Sequence, residues 1–251
     1  MTLDGVSISS NIAYGNAADN GGAGVFNNGG DMNILNATIE GNMAVGTSGS
    51  GGGILSTAGT ITVNTSDILS NSANRAGGGI EIIDGTLNVL TSNLNINNVN
   101  GFAGTPNPGN GGGLHVSGTA AIVFTDSFVN DNAAATEGGG LWNQVGSTME
   151  INNTTLDGNF ATGDAADNGG GGIFNNGGML VVQNTSIISN NTASGLAGSG
   201  GGIQNVDGGT VEVYNSTITN NQANRAGGGI EDNSSVTPGT LTLMDVTLTN
   251  N

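Results

Sequence analysis

The chain has 251 residues, including 48 Gly, 39 Asn and 27 Thr, and it has no Cys. It has 19 Asp and Glu residues against two Arg and one His, which gives a formal net charge of −17. So negative a chain cannot neutralise phosphates, which excludes nucleic acids and anionic membrane surfaces as partners. Apolar residues make up only 35% of the chain but recur at regular places, which indicates a narrow core rather than disorder. We expect no membrane insertion, because no apolar run approaches the roughly 20 residues that span a bilayer.

Three short motifs repeat along the chain. The first is a glycine run followed by an aliphatic residue, which recurs at intervals of 26 to 34 residues. Its aliphatic residues are Val25, Ile54, Ile80, Leu114, Leu141, Ile173, Ile203 and Ile230. The second motif has the form aliphatic-x-x-Asn-x-Ala, and its asparagines are Asn11, Asn42, Asn71, Asn97, Asn132, Asn159, Asn191, Asn221 and Asn251. The third is an alternating run such as GTITVN, which begins at Gly59, Gly85, Gly209 and Gly239.

These motifs predict an all-β protein. Alternating Val, Ile and Thr are typical of strands, and no stretch keeps a helical period. Short strands in each repeat, with Gly and Asn at fixed corners, predict a parallel β-helix, or solenoid, of about eight coils with three short strands each. The glycines would form the corners that need positive φ, and the asparagines would stack into a ladder that satisfies turn backbone groups. Residues 1–251 would form a single β-helix domain.

The sequence also contains a longer repeat that spans several coils. The sequence NRAGGGI occurs at residues 74–80 and 224–230, and FNNGG occurs at 26–30 and 174–178. The offsets of 150 and 148 residues indicate that a block of five coils was duplicated. Since the first eleven residues also align in phase with the last eleven, we expect this chain to be a segment of a longer array.

The units resemble the repeats of chlamydial polymorphic outer-membrane protein passengers, and more broadly those of right-handed parallel β-helix proteins of the pectate-lyase-like group. The resemblance is carried by IEGNMA at 39–44, LDGNFA at 156–161 and the GGGI or GGGL runs, and it covers the whole chain. Here an aliphatic residue replaces the Phe of the passenger motif FxxN, and GGGI replaces GGAI. The resemblance implies a right-handed helix and a surface-displayed adhesive or structural role.

Candidate sites are few. We assign no catalytic residue, since Arg75 and Arg225 occupy equivalent turns and are expected to pair with nearby carboxylates. Calcium is the one possible cofactor, and its candidate ligands are Asp164, Asp167 and Asp19 in acidic loops. The spacing of these acids matches no recognised calcium loop. The alternative is that the loops are solvated acidic turns.

A row of large side chains is the other candidate site. The residue after each aliphatic mark should point outward, which predicts a stripe of His115, Trp142 and Phe174 on neighbouring coils. The stripe could stack sugar rings or contact another rod. Alternatively, it could only stabilise the sheet, or the loop at 101–110 could cover it.

We therefore expect a non-catalytic structural or adhesive protein that is extracellular or attached to the cell surface, with fibre assembly as a possible property. Its partners would be other copies of the chain, end to end or side by side, or surface glycans. The alternative function is a carbohydrate-binding or carbohydrate-cleaving β-helix protein, which the stripe would carry.

Overall fold

The chain is a parallel β-solenoid of about eight turns. The computed structural model describes residues 1–99, 109–233 and 237–251, and it contains no helix within these ranges. The described residues form 34 strands, numbered β1 to β34 along the chain. Every strand pairs in parallel with the strand four positions away, so that four sheets run along the solenoid. The predicted all-β parallel solenoid is confirmed.

The four sheets are numbered in the order in which the chain passes through them. Sheet 1 contains Thr2–Asp4 (β1), Met32–Leu35 (β5), Thr60–Asn64 (β9), Gly85–Leu90 (β13), Ala120–Thr125 (β17), Thr148–Asn152 (β21), Met179–Gln183 (β25), Thr210–Tyr214 (β29) and Thr240–Met244 (β33). Sheet 2 contains Ser7–Ser9 (β2), Thr38–Glu40 (β6), Asp67–Leu69 (β10), Asn93–Asn95 (β14), Phe128–Asn130 (β18), Thr155–Asp157 (β22), Ile187–Ser189 (β26), Thr217–Thr219 (β30) and Thr247–Thr249 (β34). Sheet 3 contains Ile12–Ala13 (β3), Met43–Ala44 (β7), Ser72–Ala73 (β11), Asn98–Val99 (β15), Ala133–Ala134 (β19), Phe160–Ala161 (β23), Thr192–Ala193 (β27) and Gln222–Ala223 (β31). Sheet 4 contains Val25–Asn28 (β4), Ile54–Ala58 (β8), Ile80–Ile82 (β12), Leu114–Val116 (β16), Leu141–Gln144 (β20), Ile173–Asn176 (β24), Ile203–Val206 (β28) and Ile230–Asn233 (β32).

The prediction of three strands in each coil is wrong, because a full coil has four. The stretch with the Asn motif contains two strands, as where β22 and β23 are separated only by Gly158 and Asn159. Gly158 has φ of +67° and turns the chain between them. The second strand is only two residues long, which is too short to display the alternation on which a strand is recognised.

Inward aliphatic side chains build one continuous core. In β9, Ile61 and Val63 are fully buried, and Ile68 in β10 and Ile80 in β12 are at most 1% exposed. Sheet 3 contributes a small side chain, such as Ala73. Each large aliphatic residue contributes roughly 1.5–3 kcal/mol on burial, and the coils stack these residues in register.

The predicted ladder of asparagines is confirmed, and it lies at the corner between sheets 2 and 3. The backbone N–H and the Nδ2 of Asn97 both donate to Oδ1 of Asn132, at 2.9 and 3.0 Å. Nδ2 of Asn132 in turn donates to the carbonyl of Leu94 at 2.8 Å and to Oδ1 of Asn159 at 2.9 Å. Both donor hydrogens and both acceptor positions of this amide are therefore used. The Asn-to-Asn bond repeats between each successive pair from Asn11 to Asn251.

Two further polar ladders escaped the sequence analysis. Hydroxyl side chains at the corner between sheets 1 and 2 accept the backbone N–H of the equivalent residue one coil earlier, as Ser92 Oγ does from Ser66 at 3.1 Å. This ladder consists of Ser66, Ser92, Ser127, Thr154 and Ser186. A shorter amide ladder joins Asn143, Asn175 and Asn205 in sheet 4, with Nδ2 to Oδ1 distances of 2.8 Å.

A single left-handed residue precedes each ladder asparagine and turns the chain. These residues have φ between +54° and +67°, and they are Ser10, Gly41, Ser70, Ile96, Asp131, Gly158, Asn190, Asn220 and Asn250. Gly, Asn and Asp tolerate this region readily, whereas a β-branched residue is strained there. Ile96, with φ of +59°, is therefore the exception in the series.

Replacing the ladder residue Asn191 with Ala should lower the free energy of unfolding by at least about 2 kcal/mol. The change leaves the buried Asn159 N–H without its acceptor, which costs about 1–3 kcal/mol, and it removes the hydrogen bonds that Asn191 donates to the Leu156 carbonyl and to Asn221. Urea titration followed by circular dichroism measures the difference. The control is Asn11→Ala, the same change at an exposed member of the ladder. If both variants lose the same free energy of unfolding, burial of the ladder does not contribute to its stabilising effect.

Replacing Ile96 with Asn should stabilise the protein by about 1 kcal/mol, because the strain of a β-branched residue in the left-handed region is removed. Ile96 is 58% exposed, so little apolar burial is lost. Thermal unfolding of the variant checks this. The control is Ile12→Asn, since Ile12 is 44% exposed but lies in a strand, where Asn should give no gain. A gain in both variants would mean that φ at residue 96 is not the cause.

Candidate functional site

The candidate site is built on the outward-pointing column of sheet 4, which comprises the residues that follow the inward aliphatic marks. Along the coils the column contains Phe26, Leu55, Glu81, His115, Trp142, Phe174, Gln204 and Glu231, and they pair in register. His115, Trp142 and Phe174 lie side by side in this column, as predicted, but they do not face solvent. They are only 2%, 4% and 3% exposed.

A glycine turn explains why His115, Trp142 and Phe174 are buried. At Gly138, φ is +63°, and a Cβ atom there would lie 2.6 Å from the carbonyl oxygen of Leu141 and 3.0 Å from Cβ of Trp142. Only glycine allows so close an approach. The residues just before the turn therefore fold back over the column. In each coil we call these residues the covering segment. Asn110 and Glu137 each lie in such a segment, five residues before a column residue. Part of the loop that could have served as a cover, residues 101–108, lies outside the described residues.

The three rings stack on one another rather than presenting their faces to solvent. The centroids of His115 and Trp142 are 4.4 Å apart, and those of Trp142 and Phe174 are 6.1 Å apart with nearly parallel planes. Both faces of the indole are thus occupied by neighbours. The stack stabilises the sheet, and any ligand would meet the edges of the rings.

A buried ionic cluster lies at the His115 end of the stack. Glu81 is fully buried, and its carboxylate lies 2.9 Å from Nδ1 of His115 and 3.5 Å from the Arg75 guanidinium. Ser117 donates to the same carboxylate at 2.6 Å, and Arg75 also donates to Ser50 Oγ at 2.9 Å. This cluster holds the sheet and the covering segment together.

The expected pairing of the two arginines with nearby carboxylates is confirmed. Arg225 forms an ion pair with Glu231, as Arg75 does with Glu81 in the duplicated turn. The two copies differ in burial, because the Arg225 side chain is 38% exposed and that of Arg75 is 10% exposed.

Glu137 anchors the covering segment above Trp142. Its Oε2 accepts from Nε1 of Trp142 at 3.1 Å and from Nδ2 of Asn110 at 3.3 Å, and its Oε1 accepts from Nδ2 of Asn168 at 2.8 Å. Burial raises the pKa of Glu137 above its usual value, and the nearby negative charges of Asp167 and Asp207 add to that rise. The hydrogen bonds from Trp142 and Asn168 oppose it.

Beside the stack lies a cleft of about 350 Å³ that crosses successive coils. Its lining combines the ring edges of Trp142 and Phe174 with carboxylates and carboxamides. The lining residues are Asn110, Glu137, Trp142, Gln144, Asp167, Phe174, Asn176, Val206, Asp207 and Asn233. Two of the three predicted contact residues, Trp142 and Phe174, thus reach a cleft, and His115 does not. The carboxamides and Asp207 were missed because they belong to different coils and share no local motif.

The calcium candidates Asp164, Asp167 and Asp19 lie outside the strands. Asp164 Oδ1 accepts the backbone N–H of Leu196 at 2.9 Å, and Asp19 Oδ1 accepts from Asn20 at 3.3 Å, so both carboxylates brace loops. Asp167 lines the cleft. Within residues 1–99, 109–233 and 237–251, no group of three or more His, Asp or Glu side chains is arranged to hold a metal ion.

Replacing Glu81 with Ala should destabilise the protein by about 3–5 kcal/mol, because the buried Arg75 and His115 lose their partner. Glu231→Ala is the matched control in the duplicated turn, and it should cost about 1 kcal/mol or less because Arg225 can be solvated. Urea titrations of both variants measure these costs. Similar costs in the two variants would show that burial does not increase the contribution of the ionic cluster to stability.

No protein-family model matches the chain, and no curated protein or solved structure does either. Among the described residues, no helix is long and apolar enough to cross a membrane.

Proposed function

We propose that this chain is a non-catalytic adhesive β-solenoid, extracellular or attached to the cell surface, that binds a saccharide chain in the cleft beside Trp142 and Phe174. The observation that carries the proposal is the cleft itself, in which ring edges, carboxamides and carboxylates converge. Its volume lies at the lower end of the range of small-molecule sites, which fits a short stretch of a sugar chain.

The lining offers the chemistry that sugars need. Gln144 and Asn176 are half-buried and follow one another on adjacent strands of sheet 4. Carboxamides can donate hydrogen bonds to hydroxyl groups and accept hydrogen bonds from them, and carboxylates can accept them. The ring edges and Val206 offer apolar surface to the C–H groups of a sugar. A site that crosses successive coils suits an extended chain that lies along the solenoid.

The scaffold supports an adhesive role. The polar ladders and the in-register core link each coil to the next, so that a site on one face is held by a stiff frame. The absence of Cys and the surplus of acidic residues are consistent with a surface protein. The resemblance of the repeats to outer-membrane passenger repeats, with the right-handed helix that it implies, supports the same location.

Contact between copies of the chain is the second candidate. Phe128 and Ile187 lie on either side of Thr155 in sheet 2 and are 48% and 40% exposed. Phe160 in sheet 3 is 38% exposed. Exposed apolar side chains on neighbouring coils favour lateral association of two solenoids.

Binding to a panel of immobilised oligosaccharides tests the proposed function. We expect the intact chain to bind at least one class of oligosaccharide without releasing new reducing ends, and Gln144→Ala with Asn176→Ala to weaken that binding about tenfold through loss of polar contacts. The matched control is Asn152→Ala with Gln183→Ala, a half-buried Asn and Gln pair on adjacent strands of sheet 1.

Two results would contradict the proposal. One is the absence of binding to any saccharide, and the other is equal binding by the cleft variant and its control. Sedimentation velocity of the same samples reports whether the chain associates with itself, which would favour the second candidate.

A further inference from the structure

The cleft contains two carboxylates that the protein itself leaves unused. Asp167 and Asp207 both line the cleft and are exposed. Neither carboxylate has a hydrogen-bond partner in the described part of the chain; the contact that Asp167 makes with Gln204 uses its backbone carbonyl. Glu137, in contrast, has both oxygens occupied by Trp142, Asn110 and Asn168. Asp167 and Asp207 are therefore the acids available to a ligand.

A buried carboxamide adds another unused acceptor. Asn110 lines the cleft and is 3% exposed. Its Nδ2 donates to Glu137, but its buried Oδ1 has no hydrogen-bond partner. A buried polar atom without a partner is costly, so this oxygen calls for a donor that the described residues do not supply. It is a second observation, independent of the acids, that points to a ligand rich in donors.

No cationic side chain balances these acceptors. None of the residues that line the cleft is Lys, Arg or His. Arg75 and Arg225 are already paired with Glu81 and Glu231. A ligand that carried carboxylate or sulfate groups would meet only like charge, whereas a ligand with amino groups would meet complementary charge.

The arrangement also favours several separate cationic groups over one metal ion. Asp167 comes before the Phe174 strand and Asp207 comes after the next strand of sheet 4, so they belong to adjacent coils. With Glu137 they form no cluster of acids that could surround a metal ion within the described residues. Cationic groups that repeat along a chain can meet such acids one at a time.

We propose that the cleft selects saccharide chains whose sugar rings carry free amino groups, with Asp167 and Asp207 pairing with the ammonium groups. This inference rests on the proposed function, because it names the class of saccharide that the same cleft takes. The Oδ1 of Asn110 and the carboxamides of Gln144 and Asn176 accept from the amino and hydroxyl groups of the ligand. Acidic sugars are excluded by charge.

Calorimetric titration with two matched ligands tests the inference. The ligands are a tetramer of glucosamine and its fully N-acetylated counterpart, at low salt, at mildly acidic pH and with a chelator present. The two share a sugar backbone and differ in charge, so the comparison isolates the amino groups. We expect the amine form to bind at least about tenfold more tightly, a difference of about 1.4 kcal/mol, and the preference to shrink as salt is added.

A double substitution assigns the preference to the two acids. Asp167→Asn with Asp207→Asn keeps the shape of the cleft lining and should remove the preference for the amine form. The control is Asp19→Asn with Asp31→Asn, which changes the net charge equally at exposed acids that do not line the cleft, and which should keep the preference.

The outcomes separate the inference from the proposed function. Equal binding of the two tetramers would overturn the inference and leave saccharide binding standing. Loss of the preference in both double variants would also overturn it, because the general negative field would then be the cause. If no saccharide binds at all, the proposed function fails and the inference fails with it. Preference for the amine form that is lost only in the cleft variant supports the inference.

Discussion

The stacked asparagines at the corner between sheets 2 and 3 are the interaction on which the rest of the structure depends. Within the buried ladder each amide uses both donor hydrogens and both acceptor positions, as Asn132 does. An amide with no capacity left allows only one register between coils, because a slip would leave buried groups without partners. That register places Ile61 over the equivalent residues of the neighbouring coils and aligns the whole core.

The variable parts of the chain gather at the corner that this constraint leaves free. Between sheets 3 and 4 the chain follows a path of variable length, and this accounts for repeat intervals of 26 to 34 residues. The path ends in a glycine turn such as that at Gly138, which brings the covering segment over sheet 4. The ionic cluster of Glu81, the Glu137 anchor and the cleft all lie there. The proposed binding site thus lies beside the part of the coil whose length varies most.

The duplicated turns show how the same local sequence acquires different environments. Arg75 and Arg225 follow the same motif and both pair with the glutamate six residues later. Glu81 is also paired with His115 and is fully buried, whereas Glu231 is partly accessible and its partner Arg225 is more so. The neighbouring coil, rather than the motif, decides how strongly each pair is shielded from water.

The sequence by itself determined the solenoid, its inward aliphatic residues, its asparagine ladder and the pairing of its arginines. These features can be predicted because each coil must stack in register on the coil beside it. The same residue types therefore recur at equivalent positions along the sequence. The Ser and Thr ladder recurs in this way too, in the hydroxyl residues that come just before the strands of sheet 2. Only the tertiary structure decided that a coil has four strands, since a two-residue strand has no pattern of its own. It also decided the burial of Trp142 and the composition of the cleft. Those depend on how the covering segment folds and on residues such as Asn110 and Asp207, which are far apart in the sequence and line the same cleft only because coils stack.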